Sequence, residues 1–377
     1  MMSLALALIA GLSLAIWLGL IFARHGFWLA RERDTRDLPP EPAQWPDVVA
    51  VVPARDEADV IARSIGSLAA QHYPGSFRII LMDDSSSDGT GDIAQGLGSG
   101  RVEVVPGLPL AAGWTGKLWA LSQGVERAGA PTWLWLTDAD IEHAPDTLRS
   151  LVTRGEAGNL ALVTLMARLR CDSFAERMLI PAFVFFFQLL YPFGLVNRPK
   201  GLGGAAGGCM LVRRTALEAV GGIAAIRDAL IDDCTLGALL KTQGRIWLGL
   251  TDRSRSIRPY EHFGTIAAMI SRSAYAQLNY SPLLLAGTIF GLALVYAAPP
   301  LLAIFGHGWA QIAGALAWLL MAIAFQPMLA FYRRSPLWGV ALPAIAAFYA
   351  GCTLLSAWQH ARGRGGMWKG RAQAAGL

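Results

Sequence analysis

Asp138 and Asp140 have the spacing of a cation-binding pair. Residues 131–145 read PTWLWLTDADIEHAP, so the two aspartates closely follow large apolar residues that favour burial in a strand. Side chains at positions i and i+2 of an extended chain point to the same side. Two neighbouring carboxylates repel each other unless a proton or a cation lies between them, and hard divalent cations prefer oxygen ligands. The alternative is an ordinary turn at a strand end, where aspartate is also common.

Two other predicted strands also end in acidic residues. The segment DVVAVVPARDE ends in Glu57, and the segment ILMDDSSSDGT contains Asp83 and Asp84. Short apolar segments alternate here with helical ones, which predicts a parallel α/β sheet that binds ligands at the carboxyl ends of its strands. We therefore expect Asp83 and Asp84 at a binding edge, where they can accept hydrogen bonds from a base or ribose. No GxGxxG pattern follows the first strand, which disfavours a dinucleotide fold of that kind.

Three more features suit a site for a phosphorylated ligand but also have plain structural explanations. Asp232 and Asp233, in ALIDDCTLG, either do chemistry or stabilise the N-terminus of a helix. The glycine-rich segment KGLGGAAGGCMLVRRTAL (200–217) lacks the pattern of a phosphate-binding loop. Its glycines predict either close approach of the backbone to a sugar or lipid, or a mobile loop. Lys117, in GWTGKLWALSQG, belongs either to a diphosphate site or to a solvated helix face.

The composition indicates a membrane protein with a soluble part. Of 377 residues, 54% are hydrophobic and only 16% are charged, whereas soluble proteins contain about 25% charged residues. The formal net charge is +5, and its basic clusters lie beside apolar segments, which indicates contact with anionic lipid rather than nucleic acid. The four cysteines have no CxxC spacing, so neither a zinc site nor a disulfide framework is expected, as suits a reducing cytoplasm.

Several apolar segments are long enough to cross a membrane. Residues 4–23 carry no charge and span roughly 30 Å as a helix. The arginines that follow place the next part of the chain in the cytoplasm, and the lack of a basic segment before residue 4 disfavours a cleaved signal peptide. Three further spans are predicted near the C-terminus: 283–305, 309–332 and 338–359.

The apolar segment 178–196 is predicted to be an interfacial helix. A crossing at this point would put residues 200–265 on the opposite side of the membrane from Asp138 and Asp140. The C-terminal end leaves a choice open. Both Arg333–Arg334 and the basic segment 359–371 favour the cytoplasm, so either one of them is translocated or the last apolar segment is re-entrant.

The order VPARDE, DDSSSDGT, GWTGKLWALSQG and TDAD resembles the family 2 glycosyltransferases of the GT-A fold. The resemblance covers about residues 48–265 and implies a Rossmann-like mixed α/β sheet of nucleotide-diphospho-sugar transferases, with N-terminal and C-terminal transmembrane helices. GWTGKLWAL, LIDDCTLG and RSAYAQLNYS are most similar to the hopene-associated glycosyltransferases, and more distantly to the ceramide glucosyltransferases. The implied organisation is a transmembrane helix (1–24), a basic and proline-rich linker (25–47), a cytoplasmic catalytic domain (48–277), three transmembrane helices (278–360) and a basic tail (361–377).

The resemblance also implies an inverting transfer of a sugar from a UDP-sugar donor to a lipid acceptor, with a hopanoid as one candidate, at the inner (cytoplasmic) membrane. A Mg²⁺ or Mn²⁺ ion would be bound by Asp138 and Asp140. Asp233 matches the catalytic base of the family, and Asp232 is its acidic neighbour. The positions that match nucleotide-contacting residues are Pro53, Ala54, Glu57, Asp83, Asp84, Lys117 and Asp138.

The sequence departs from the family after the base. In place of QxxRW it has MISRS, so long-polymer synthesis is not expected. Arg272 of this segment either contacts the diphosphate and acceptor or flanks the membrane. A nucleotidyltransferase on a related fold is a second hypothesis, but it would need a glycine-rich phosphate loop near residue 55 and no membrane anchor. A non-catalytic binding module is a third, and the intact acidic residues disfavour it.

Overall fold

The computed structural model describes residues 2–97, 100–363, 367–368 and 371–372. The chain divides into two compact units. Met1–Arg31, Cys171–Gly194 and Tyr260–Gly365 form the helical unit, whereas Glu32–Arg170 and Leu195–Pro259 form most of the sheet unit. Cys171–Gly194 and Tyr260–Gly365 thus group with the apolar helices, and the expected catalytic domain of residues 48–277 stays a prediction.

The sheet unit is built on one mixed sheet in the order β3-β2-β1-β4-β7-β6-β8-β5. The first four strands in this order are parallel, as the alternation of strands and helices predicted. The strand β7 runs antiparallel to both of its neighbours, while β6 and β8 are parallel. The strands are β1 (Val48–Ala54), β2 (Phe77–Asp83), β3 (Val102–Pro106), β4 (Trp133–Thr137), β5 (Ile141–His143), β6 (Leu162–Arg168), β7 (Cys209–Arg213) and β8 (Ile246–Ser256).

Strands β1 and β4 are apolar except for Thr137, as expected where helices cover both faces of a parallel sheet. Every residue of β1 and β4 is buried. Proline is rare in a central strand because it has no N–H to donate. Pro53 is tolerated because the pairing of β1 with β4 ends at Val51 and Leu136, two residues earlier.

Helices supply the rest of the positioning elements. In the sheet unit, α2 turns Ile61, Ile65 and Leu68 toward the core. The α-helices are α1 (Met2–Ala23), α2 (Ile61–Ala69), α3 (Thr90–Gly96), α4 (Gly116–Arg127), α5 (Thr147–Ala157), α6 (Phe174–Leu190), α7 (Phe193–Val196), α8 (Arg214–Ala219), α9 (Asp232–Gln243), α10 (Phe263–Ser271), α11 (Pro282–Leu292), α12 (Ala298–Phe305), α13 (Trp309–Phe331) and α14 (Leu342–Ala361).

Within the described residues, four helical segments are long and apolar enough to cross a membrane: Leu4–Ala23, Phe174–Val196, Pro282–Phe305 and Trp309–Phe331. Three of them coincide with predicted spans, and Phe174–Val196 contains the segment predicted to be interfacial. The last predicted span, 338–359, falls on α14, which is not one of the four. Threonine, serine, glutamine and histidine near its C-terminal end lower its mean hydropathy. Most of the expected basic tail lies outside the described residues.

Candidate active site

Lys117 joins two acidic segments that are far apart in the sequence. Its Nζ lies 2.9 Å from Oδ1 of Asp138 and 3.0 Å from Oδ2 of Asp232. Lys117 is in the first turn of α4, where the Thr115 hydroxyl caps the helix by accepting the Leu118 N–H. Asp138 directly follows β4, and Asp232 begins α9. Three separate elements therefore place Asp138, of the predicted cation-binding pair, beside Asp232 of the second acidic pair.

These residues line one pocket of the sheet unit. Its empty volume is about 330 Å³, part of which is open to solvent. Pro53 brings the carboxyl end of β1 into the same wall, so the pocket lies at the sheet edge where the sequence predicted a ligand. The polar lining is Lys117, Thr137, Asp138, Asp232 and Asp233, and the apolar lining includes Leu118, Leu121, Leu136, Met210, Ile226 and Leu236.

The carboxylate of Asp233 is held in a fixed orientation, and its pKa is raised. Its Oδ2 accepts a hydrogen bond from the Gly207 N–H at 2.9 Å, and its Oδ1 accepts one from the Cys234 N–H at 2.7 Å. Burial and then the negative charge of Asp232 raise the pKa of Asp233 to about 6, while Lys117 and the two N–H donors oppose the rise. A carboxylate with this pKa is ionised at neutral pH yet accepts a proton more readily than an ordinary aspartate.

The charges of Lys117 and Asp138 depend on each other. Burial raises the pKa of Asp138, the ammonium of Lys117 lowers it, and Asp140 and Asp232 raise it again. Burial alone would lower the pKa of Lys117, but Asp138 and Asp232 outweigh that effect and the pKa lies above its ordinary value. Lys117 is therefore a permanently charged counter-ion at the centre of an acidic site.

We expect Lys117→Met to move the pH dependence of activity upward. Lys117 lowers the pKa of Asp233, so its loss should raise that pKa above about 6 and shift the rising limb of the profile of kcat/KM to higher pH. The measurement is kcat/KM between pH 5 and 9. Arg127→Met is the control, because Arg127 ends the same helix and its side chain is exposed and paired with Glu103. An unchanged limb in Lys117→Met would contradict the electrostatic link.

The glycine-rich segment is packed against α9. A Cβ on Gly203 would lie 2.4 Å from the Cα of Ala238, and one on Gly237 would lie 2.8 Å from the carbonyl carbon of Gly204. Close backbone approach is thus present, and its partner is α9, whereas approach to a sugar or lipid stays a prediction. The contact sets the position of the helix that begins with Asp232 and Asp233, and it places the Gly207 N–H on Asp233.

A methyl group at Gly203 should destabilise the protein. Because its Cβ would meet the backbone of α9, which cannot rotate away, we expect Gly203→Ala to cost about 1–3 kcal/mol in the free energy of unfolding. The thermal midpoint of the purified protein tests this expectation. Gly66→Ala in α2 is the matched control, because nothing lies within 4 Å of its Cβ and alanine favours helix. Equal midpoints for Gly203→Ala and the native protein would contradict the expectation.

Asp140 and Glu57 share a cationic partner that the sequence analysis missed. Nε of Arg258 lies 3.0 Å from Oδ2 of Asp140, and its Nη2 lies 2.6 and 2.5 Å from the two oxygens of Glu57. Arg258 follows β8 in the sequence SIRPYE, which matches no motif. The signal that was available is electrostatic: several predicted carboxylates at one sheet edge require cations near them.

The remaining strand-end residues lie beside this pocket and not in its lining. Asp83 ends β2, and its Oδ1 accepts the Ser86 N–H at 2.9 Å. Asp84 is buried, donates its N–H to the carbonyl of Ala54 at 2.8 Å and is paired with Arg55. Asp83 and Asp84 thus stabilise the turn after β2 in the described structure, and their contact with a nucleotide stays a prediction.

A buried histidine links the elements around Asp138 and Asp140. His143 Nε2 lies 2.9 Å from the Thr137 hydroxyl, and its Nδ1 lies 2.9 Å from the Ser254 hydroxyl. Burial lowers the pKa of His143 to about 3, so the ring is neutral. The Thr137 hydroxyl also donates to the carbonyl of Gly208 at 2.8 Å. This chain of hydrogen bonds connects β4, β5 and β8 to Gly208 of the glycine-rich segment.

Arg272 and His262 belong to the helical unit. Arg272 follows the last residue of α10 and donates its N–H to the carbonyl of Ala268. His262 precedes α10, where its N–H and the Thr265 hydroxyl form a capping arrangement. The proposed contact of Arg272 with a diphosphate stays a prediction.

Comparison with known proteins supports the family that the motifs resemble. Residues 49–221 match the sequence model described as glycosyl transferase family 2. The matching family is glycosyl transferase family 2. Over 159 residues the chain is 32% identical to succinoglycan biosynthesis protein ExoO of Rhizobium meliloti (strain 1021), and the alignment covers 39% of this chain and 44% of that protein. The chain therefore spans less than half the length of that curated relative.

The fold is similar to that of a solved transferase. Mannosyltransferase PcManGT from Pyrobaculum calidifontis, in complex with GDP-Man and Mn²⁺, superposes with a TM-score of 0.56 and 19% identity over 94% of this chain and 99% of that one. The GT-A-like mixed sheet expected from the sequence is supported. The segment matched to family 2 ends at residue 221, before Asp233 and Arg258, so the significance of those two residues rests on their contacts in the structure.

Asp138 and Asp140, in the segment that matches the family 2 model, suit a divalent cation by donor type. Within the described parts of the chain, no three histidine, cysteine or acidic side chains are grouped so that they could hold a metal. Magnesium at nucleotide sites is usually held by one or two carboxylates, with water and substrate phosphates completing the coordination. Asp138 and Asp140 match that use, and each already contacts a cationic side chain, Lys117 and Arg258 respectively.

Proposed function

We propose that the protein is a membrane-bound inverting glycosyltransferase that moves a sugar from a nucleoside-diphosphate sugar, UDP-linked, to a hydroxyl group of a lipid. The observation that carries the proposal is the joint placement of Asp138, Lys117 and Asp233 in one pocket. A carboxylate pair for a cation, a lysine for phosphate charge and an oriented base are the parts that such a transfer requires. The match of residues 49–221 to family 2 supports the same reaction class.

We assign the donor diphosphate to the side of the pocket formed by Lys117 and Asp138, next to Asp140. The PcManGT structure contains GDP-Man and Mn²⁺, which supports a nucleotide sugar with a divalent ion for this chain as well. Asp138 and Asp140 would hold Mg²⁺ or Mn²⁺, which when bound neutralises charge on the departing diphosphate as a Lewis acid. The ammonium of Lys117 adds a second positive charge next to Asp138.

Asp233 is assigned as the general base. Its carboxylate accepts the proton of the acceptor hydroxyl while the oxygen of that hydroxyl forms a bond to the anomeric carbon. The bond between the anomeric carbon and the diphosphate oxygen breaks, and the nucleoside diphosphate leaves with the electron pair. One displacement from the opposite face inverts the configuration, through a transition state with oxocarbenium character. The hydrogen bonds from Gly207 and Cys234 keep the carboxylate in one orientation for this step.

The lipid acceptor is supported by the apolar helices. Four segments could span a membrane, and a chain anchored in this way meets lipid hydroxyl groups at the inner leaflet. A hopanoid is the candidate favoured by the resemblance of GWTGKLWAL, LIDDCTLG and RSAYAQLNYS to the hopene-associated glycosyltransferases. We place the sheet unit on the cytoplasmic side of the inner membrane, where nucleotide sugars are available and where the arginines after residue 23 favour it.

A donor and lipid screen tests the proposal. The full chain in nanodiscs is incubated with Mn²⁺, a total lipid extract and a panel of UDP-sugars. A parallel reaction uses GDP-mannose, a donor with a different nucleotide, and products are identified by mass spectrometry. We expect one lipid to gain a hexose mass in an Mn²⁺-dependent reaction, with the anomeric configuration opposite to that of the donor. Formation of a nucleotide sugar from a nucleoside triphosphate and a sugar phosphate, or no turnover with any donor, would contradict the proposal.

A further inference from the structure

Arg258 is enclosed between two carboxylates at the edge of the candidate site. The side chains of Glu57, Asp140 and Arg258 are 7%, 15% and 27% exposed, so the group is mostly removed from water. Arg258 bonds Glu57 with Nη2 and Asp140 with Nε, and the Ser256 hydroxyl contacts the same Asp140 oxygen at 3.4 Å. Arg258 thus lies where a positive charge is needed when Asp140 holds no cation.

Arg258 makes two short hydrogen bonds to Glu57 and one longer bond to Asp140, so the bond to Asp140 is the easier one to replace. Both oxygens of Glu57 accept from Nη2 at 2.6 and 2.5 Å, whereas Asp140 receives one bond from Nε at 3.0 Å. Glu57 is anchored by its own backbone, because its N–H donates to the Thr90 hydroxyl at 2.8 Å. A guanidinium can therefore give up Asp140 and keep Glu57, since its donors point in fixed and separate directions.

The charge of the site argues for such an exchange. Lys117 contacts the carboxylates of Asp138 and Asp232, and Arg258 contacts those of Asp140 and Glu57. The carboxylates in these contacts therefore outnumber the cations. A diphosphate entering a site with excess carboxylates is repelled unless positive charge is added or uncovered. A divalent cation that takes Asp140 does both, because it brings its own charge and releases the Nε side of Arg258.

We propose that Arg258 is a positioning residue for the donor: it competes with the divalent cation for Asp140 in the donor-free protein, and once displaced it presents its guanidinium to the donor diphosphate. This inference rests on the proposed function, and it gives the sheet unit its own arginine for phosphate charge, independent of Arg272. Arginine donates charge-assisted hydrogen bonds to phosphate oxygens, and the Nε–H that leaves Asp140 can supply one while Nη2 stays on Glu57.

Opposite changes in two affinities, one for Mn²⁺ and one for UDP, test the proposal. Mn²⁺ alone is titrated into donor-free protein with electron paramagnetic resonance, and UDP is then titrated calorimetrically at saturating Mn²⁺. For Arg258→Gln we expect Mn²⁺ to bind roughly tenfold more tightly and UDP roughly tenfold more weakly, the size of one charge-assisted hydrogen bond. Arg255→Gln is the control, because Arg255 is exposed near the end of β8, three residues before Arg258, and donates to the carbonyl of Asp252. We expect it to change neither affinity.

A purely structural role for Arg258 would weaken both affinities together or leave both unchanged, and either result would overturn the inference. Arg258→Lys keeps a charge on Glu57 and serves if the glutamine variant does not fold; we expect it to bind Mn²⁺ more tightly than the native protein, and equal or weaker binding would overturn the inference. If the native protein binds UDP only with Mn²⁺ but the variants do not show the expected changes, the inference about Arg258 is wrong and the proposed function is not affected. Native protein that binds neither Mn²⁺ nor UDP would contradict both.

Discussion

Asp233→Asn should abolish sugar transfer and leave UDP binding close to the native level. The asparagine keeps the shape of the side chain and an oxygen for the Gly207 N–H, but it cannot accept the proton of the acceptor hydroxyl. General bases contribute about 10²–10⁴-fold to rate, so we expect kcat to fall by at least about 10²-fold. The measurement is the rate of lipid glycosylation at saturating donor, together with the calorimetric affinity for UDP and Mn²⁺.

The pH dependence provides a second signature of the same residue. The pKa of Asp233 is raised to about 6, so the proton-accepting form is present above that value and is lost as the pH falls through it. The native profile of kcat/KM should therefore rise with pH up to about 6 and level off above it. In Asp233→Asn the residual rate should not show this limb.

Asp228→Asn is the matched control for the base. Asp228 is an exposed aspartate close before α9 and does not line the pocket, so we expect native rates. If Asp233→Asn kept full turnover while Asp228→Asn behaved as the native protein, the base would be misassigned, whatever the donor affinity.

Asp140→Ala should remove the metal-dependent part of donor binding. The change takes away one of the two carboxylates assigned to the cation and leaves Arg258 on Glu57. We expect kcat/KM to fall by at least about 10²-fold, which corresponds to about 2.7 kcal/mol of transition-state stabilisation. Titration of UDP with and without Mn²⁺ measures the effect, and the two curves should nearly coincide in the variant.

Glu142→Ala separates this effect from a general loss of negative charge. Glu142 is on β5, two residues after Asp140, and pairs with Arg63 on the surface at 2.9 Å. Exposed ion pairs contribute little to stability, so we expect native donor binding and a native thermal midpoint. Metal-dependent UDP binding that survives in Asp140→Ala would show that the cation, if any, is held elsewhere.

The local parts of the fold were predictable from the sequence, whereas the long-range parts were not. Buried runs such as VVAVVPA and WLWLT, each followed by acidic residues, identified β1, β4 and the ligand edge because strand burial and turn chemistry are local. The reversal of β7 between β4 and β6 was not predictable from the sequence pattern, since strand direction depends on partners distant in the chain. The mixed sheet entered the prediction only through the family resemblance.

The site shows the same division. Asp138, Asp232 and Asp233 were recognisable by type and spacing, but their meeting at Lys117 depends on how α4, β4 and α9 pack. Arg258 was missed because a single arginine after a long strand carries no pattern; its role follows only from the carboxylates around it. For the glycine-rich segment 200–217 the sequence left close backbone approach and a mobile loop open, and only the structure shows that Gly203 admits the backbone of α9.

One structure tests the convergence of these segments most directly: the full chain in nanodiscs with UDP and Mn²⁺, determined by cryo-electron microscopy. We predict the diphosphate in the pocket lined by Lys117, Asp138 and Asp233, a cation density next to Asp138 and Asp140, and Arg258 moved off Asp140. UDP bound at another place in the sheet unit, or a diphosphate whose bridging cation touches neither Asp138 nor Asp140, would contradict the account.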